Sequence, residues 1–105
     1  MAKKSKPAAA VHALRIEGEM TIYRALELKQ TLLEAVEAQP KVELDLSAIT
    51  EIDTAGLQLL MLAKRAAHAT KRELRLVGHS PAVLEVFQLF DMAAFFGDPL
   101  VVSST

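Results

Sequence analysis

The sequence holds no cysteine, so a disulfide framework, a thiolate nucleophile and a zinc-thiolate site are all excluded. It also lacks a charge imbalance: 12 Lys and Arg stand against 13 Asp and Glu, for a net charge of −1. A near-neutral chain has no global field to gather nucleic acid or an anionic membrane, and neither is expected as a partner. Long apolar runs are missing too. The longest, Leu57 and Leu59 to Ala63, is interrupted by Gln58 and stopped by Lys64, well short of the roughly 20 residues of a membrane span. The opening MAKKSKPAAAVHAL begins like a secretory signal, but its apolar part is short, rich in alanine and broken by His12. It reads instead as a flexible tail. The expectation is a soluble, cytoplasmic protein with a tail over 1–10 and one domain over 11–105, monomeric or weakly dimeric, without direct membrane insertion.

The motifs of catalysis are equally scarce. There is no Gly-rich phosphate loop, Gly-x-Ser-x-Gly elbow or Ser-His-Asp arrangement, and Asp45 with Asp53 reads as structural rather than as an acid/base pair. His12, His68 and His79 are scattered with no metal-ligand spacing, and each is expected at the surface. No enzyme activity, metal or cofactor is therefore expected.

What is present is a well-patterned fold. Apolar residues make up 51% of the 105 and charged ones 24%, enough for a single core. Leu14, Ile16 and Met20 alternate with Arg15 and Glu17, a period of two that predicts a first strand with Gly18 at a bend. From Tyr23 to Ala38 the period becomes helical, with Ala25, Leu28, Leu32, Ala35 and Val36 on one side. Lys41 to Ser47 predicts a second strand, Ser47 to Asp53 a turn, Thr54 to Ala69 a second helix and Glu73 to Gly78 a third strand. Ser80 and Pro81 read as the N-cap and first position of a third helix, ending near Asp91, in which Val83, Leu84, Phe87 and Phe90 share a face. Beyond it, Phe95, Phe96 and a Gly97-Asp98-Pro99 turn lead to Leu100, Val101 and Val102, either a last short strand or a tail.

Strands alternating with helices imply crossovers and an α/β fold with a mostly parallel sheet. The charged second face of the strands, bearing Arg15, Glu17, Glu43, Asp45 and Arg75, requires helices mainly on the other face. On the second helix, steps of about 100° put Leu59, Leu60, Ala63, Ala66, Ala67 and Thr70 on the packing arc. The opposite arc then carries Leu57, Gln58, Met61, Lys64, Arg65 and His68, an apolar pair within a basic surface, which has the composition of a docking site.

The segment Val42 to Lys64, VELDLSAITEIDTAGLQLLMLAK, with its Ile52-Asp53-Thr54-Ala55-Gly56-Leu57 step opening an apolar helix, resembles the signature of the STAS family. The flanks are similar as well: Gly-Glu-Met-Thr before the first helix, and Leu-Arg-Leu-Val-Gly before a helix opened by Ser-Pro. The resemblance implies a STAS fold with a mixed, mostly parallel sheet of four to five strands. It also implies a non-enzymatic module of the anti-sigma factor antagonist type, whose kinase or anti-sigma partner binds the Asp53–Gly56 loop and the second helix. The implied partner-binding residues are Asp53, Thr54, Ala55, Gly56, Leu57, Gln58, Met61 and Arg65.

Two positions depart from the antagonist pattern. Thr21 stands where an acidic residue is usual, and Ala55 stands where the phosphoacceptor serine precedes the glycine. Thr54 is then the remaining hydroxyl and the candidate phosphoacceptor. The same Asp-Thr-x-Gly-Leu form resembles the STAS subunit of the phospholipid-asymmetry ABC transporter. That likeness implies the alternative, a structural subunit stabilising an ABC ATPase in lipid transport.

Overall fold

The computed structural model describes residues 11–90 and Gly97. Among these residues five strands are seen: β1 (His12–Arg15), β2 (Gly18–Met20), β3 (Lys41–Asp45), β4 (Ile49–Ile52) and β5 (Glu73–Val77). A 3-10 turn at Ile22–Arg24 leads into α1 (Ala25–Ala38); α2 spans Thr54–Ala69 and α3 Pro81–Phe90. The strands form two ladders, β1-β3-β5 and β2-β4, and every pairing among the described residues is parallel.

Alternation along β3 and β5 divides the larger ladder into a dry and a wet face. Val42, Leu44, Leu74 and Leu76 point into the core, where they meet Leu28, Leu32 and Val36 of α1 and Leu59, Leu60 and Ala63 of α2. Between them these side chains supply the main driving force for folding, about 1.5–3 kcal/mol for each large aliphatic fully buried. On the wet face the register sets Lys41 opposite Glu73 and Glu43 opposite Arg75, with charged atoms 4.0 and 3.8 Å apart. The helices thus cover mainly one face, as the charge pattern requires.

The first strand differs from its expected form. Instead of one strand from Leu14 to Met20 there are two, in different ladders, because Gly18 adopts φ 84° and redirects the chain; the β2-β4 register also shifts at Gly18/Glu19. The expected turn from Ser47 to Asp53 contains β4, a strand with only Ile49 fully buried. The second helix keeps its expected limits. Thr70, expected on its packing arc, is exposed and donates through its hydroxyl to the Ala66 and Ala67 carbonyls. In α3 the Ser80 hydroxyl accepts from the Val83 N–H at 3.2 Å, as a cap should. Burial on that face stops at Phe87, leaving Phe90 52% exposed. The tail over 1–10, the helix end at Asp91, Phe95, Phe96 and the segment from Asp98 to Val102 lie outside the described residues; Gly97 is in a turn.

Candidate functional site

The start of α2 is fixed by one carboxylate. Asp53 is the N-cap, and its Oδ1 accepts from the Gly56 N–H at 3.0 Å. Its Oδ2 accepts from the Ile22 N–H, also at 3.0 Å. Asp53 therefore caps α2 and, across 31 positions of sequence, the 3-10 turn that opens α1. Desolvation pushes its carboxyl upward, and the N–H groups of Gly56, Ile22 and Ala55 outweigh that push, so the group titrates below the ordinary carboxylate value.

Gly56 locks the same corner. A Cβ there would stand 2.0 Å from the Met20 carbonyl oxygen and 2.8 Å from Met20 Cγ, so α2 can approach β2 only at a glycine. Arg24 ties down the loop before β2 by donating from Nη1 to the Glu17 and Glu19 carbonyls at 2.7 and 2.8 Å. Thr21, at the departure from the antagonist pattern, is buried, and its hydroxyl donates to Glu19 at 3.0 Å.

Three large apolar side chains stand out from this corner: Ile22, Tyr23 and Leu26, at 61, 90 and 79% exposure. A cleft of about 360 Å³ lies beside them, lined by Glu19, Thr21, Tyr23, Glu51, Ile52 and Asp53. A shallow groove of about 380 Å³ continues from Leu26 along α1 past Leu33 and Glu37. The signal was present in the sequence. Leu26 and Leu33 fall off the packing arc of the first helix, and Ile22 in the turn before it extends the same apolar stripe.

The expected site residues separate into two groups. Thr54, Gln58 and Arg65 are exposed, and Asp53 and Ala55 are half-buried around the cap. Gly56 and Leu57, expected at the contact surface, are buried. Gly56 faces its own chain's Met20, and Leu57 joins the core because α2 packs against both α1 and β5, which widens its buried arc. Met61 is half-buried against that core rather than displayed. The expected apolar pair on the outer arc is thus absent, and its place is taken by Tyr23 and Leu26. His79, expected at the surface, is fully buried, edge-on to Phe87 with ring centres 5.4 Å apart. Among the described residues no three His, Cys, Asp or Glu side chains are grouped as metal ligands. No helix among them is long and apolar enough to cross a membrane.

The molecule is a largely parallel α/β domain with one wet face and a polar-capped corner bearing exposed apolar side chains. The chain belongs to the STAS family: residues 5–102 match the family described as Mlab, STAS domain. No curated protein matches it. Among solved structures it is similar to the anti-sigma factor antagonist SpoIIAA in its unphosphorylated form, at 18% identity over 96% of this chain and 85% of that one, with a TM-score of 0.66. The phosphorylated form of the Bacillus protein gives the same identity and score over 88% of its chain. A sulfate transporter family protein from Wolinella succinogenes matches at 22% identity over 94% of this chain and 80% of that one, with a TM-score of 0.72.

Proposed function

We propose that this STAS domain is a non-catalytic docking module that binds a protein partner through the corner joining the start of α2 to Ile22, Tyr23 and Leu26. One observation carries the reading: the Asp53 carboxylate bonds to both helix starts, so the exposed apolar side chains and Thr54 share one fixed surface. An aromatic and two aliphatics beside Glu19 and Glu51 have the make-up of an interface centre, where tyrosine is enriched. Preorganisation by the bridge spares the ordering cost that a loose loop would incur on binding.

The partner we favour is an ATPase subunit of the ABC class, with this chain as its structural companion. Ala55 replaces the serine of the antagonist pattern, and the family match is of the Mlab type; both support constitutive docking. A second reading, an antagonist binding a kinase or anti-sigma regulator in the cytoplasm, is favoured by the exposure of Thr54 at the first position of α2. A phosphate there would bring about 1.5–2 negative charges beside Asp53 and would expel a partner seated on the corner.

The test is capture from a native lysate by the tagged protein, with mass spectrometry of the partners and of Thr54. The expected result is an ABC-type ATPase with unmodified Thr54, retained alike by Thr54→Ala and Thr54→Glu and lost in a Tyr23→Glu/Leu26→Glu variant of unchanged thermal midpoint. A kinase or anti-sigma partner, phosphate on Thr54 and failure of Thr54→Glu alone would establish the switch. Equal capture by the Tyr23/Leu26 variant would refute the proposed surface.

A further inference from the structure

The far end of α2 is chemically opposite to its start. From Thr54 to Arg72 there is no Asp or Glu, while Lys64, Arg65, Lys71 and Arg72 are cations, in a protein whose net charge is −1. The fold gathers most of them around one cleft of about 420 Å³ between the last turns of α2 and the start of β5, lined by Lys64, Arg65, His68, Arg72, Glu73 and Leu74. That volume lies within the range of small-molecule sites.

Three features suit the cleft to an anion. The Lys64 ammonium is held in place by donating to the Leu74 carbonyl. The single acid on the rim, Glu73, is turned toward Lys41 across the ladder at 4.0 Å, and among the described residues Arg72 forms no ion pair. Three of the last-turn carbonyls of α2, which would repel an anion, already accept hydrogen bonds. Ala66 accepts from the Thr70 N–H and hydroxyl, Ala67 from the Thr70 and Arg72 N–H groups, and His68 from the Lys71 N–H.

We propose that this cleft binds a phosphate-bearing ligand, with Arg72 and Lys64 on the phosphate. Arginine is suited to the task because its planar fork matches a phosphate's oxygens in pairs. The site is distinct from the docking corner. Along a helix of 16 residues the two ends are separated by about 24 Å, so the proposal stands whether or not the docking reading does.

The experiment is titration of the isotope-labelled full chain with inorganic pyrophosphate, followed by amide shifts, with chloride at matched ionic strength as reference. Sedimentation with phosphatidylglycerol vesicles forms the second arm. The expected result is saturable shifts confined to residues 64–74 and absent with chloride, about tenfold weaker in Arg72→Gln and also weakened in His68→Gln, whose side chain is exposed and whose loss leaves the fold intact. Vesicle binding that Arg72→Gln abolishes would support the site and assign the phosphate to a lipid headgroup; its absence alongside saturable shifts would assign it to a soluble ligand. Shifts reproduced by chloride, spread over Lys29 and Lys41, or unaffected by Arg72→Gln would overturn the proposal, as would no response in either arm.

Discussion

The two ladders are built by different means. In β1-β3-β5 the alternation of Val42, Leu44, Leu74 and Leu76 with charged residues places the apolar side chains at 2% exposure or less, and burial alone accounts for the arrangement. The β2-β4 ladder has strands of three and four residues, with Met20 and Ile49 as its fully buried side chains. It is fastened instead by the Arg24 clamp, the Asp53 bridge and the approach of Gly56 to Met20. Apolar patterning makes the frame, and polar fastenings make the corner that displays Ile22, Tyr23 and Leu26. The division has a physical logic, because side chains left exposed at the corner cannot also be buried in the core, so the corner is held by polar contacts instead.

The strongest way to break this comparison is Gly56→Ala. The new methyl would overlap the Met20 carbonyl, which is backbone and cannot swing aside, so β2 and α2 must separate. A loss of about 3 kcal/mol is expected, comparable to the 2–5 kcal/mol typical of Leu→Ala at a buried frame position such as Leu44. Urea unfolding at constant m-value measures both. A Gly56→Ala midpoint equal to that of the native chain would mean that the corner adapts freely and is not a fixed surface.

Asp53→Asn sharpens the comparison further. The asparagine oxygen can still cap Gly56, but its amide turns a donor toward the Ile22 N–H, so the bridge fails while the cap survives. The expected cost is about 1 kcal/mol at neutral pH. Its pH dependence has a definite sign. The folded carboxyl titrates below its ordinary value of 3.8, so its stabilisation is fully present above that value and is lost as pH falls through the lowered folded value. The gap between the native chain and Asp53→Asn should therefore close on acidification below about pH 4, and a gap constant down to pH 2 would remove the charge from the explanation. Asp45, lowered chiefly by the Ser47 N–H, titrates alike in both proteins and cancels in the difference.

This contrast also explains what could be read in advance. The frame was legible because burial imposes a period: Leu28, Leu32 and Val36 on α1, and Val42, Leu44, Leu74 and Leu76 on the strands, all lie where their spacing put them. The corner was legible only in part. Ser80 shows itself as a cap because its residue type before a helix has one common use, whereas Asp53 and Thr54 are both capping residue types and the structure assigns the role to Asp53. The β4 strand is hidden, since Thr50 and Glu51 are exposed and too few side chains are buried to show alternation. Nor does any local signal pair Asp53 with Ile22, a contact set by the crossing of α2 over β2. Leu57 and Met61 were misplaced for a related reason: a helical wheel assumes one buried face, whereas α2 packs against both α1 and β5.

The smallest expected effect lies on the wet face and tests the frame's half of the comparison. Glu43 and Arg75 are register partners with charged atoms 3.8 Å apart and side chains 37 and 53% exposed. A double-mutant cycle with Glu43→Gln and Arg75→Gln should return a coupling of a few tenths of a kcal/mol that fades at high salt, as for other solvated pairs. If the coupling instead exceeded about 1 kcal/mol, the frame too would depend on polar fastening and the distinction between the ladders would fail. Arg24→Gln supplies the internal standard. Its guanidinium meets two backbone carbonyls at 2.7 and 2.8 Å, charge-assisted bonds that no neighbouring side chain replaces. Its loss should therefore cost about 1.5–3 kcal/mol, more than the ion pair on the wet face, although both involve one arginine.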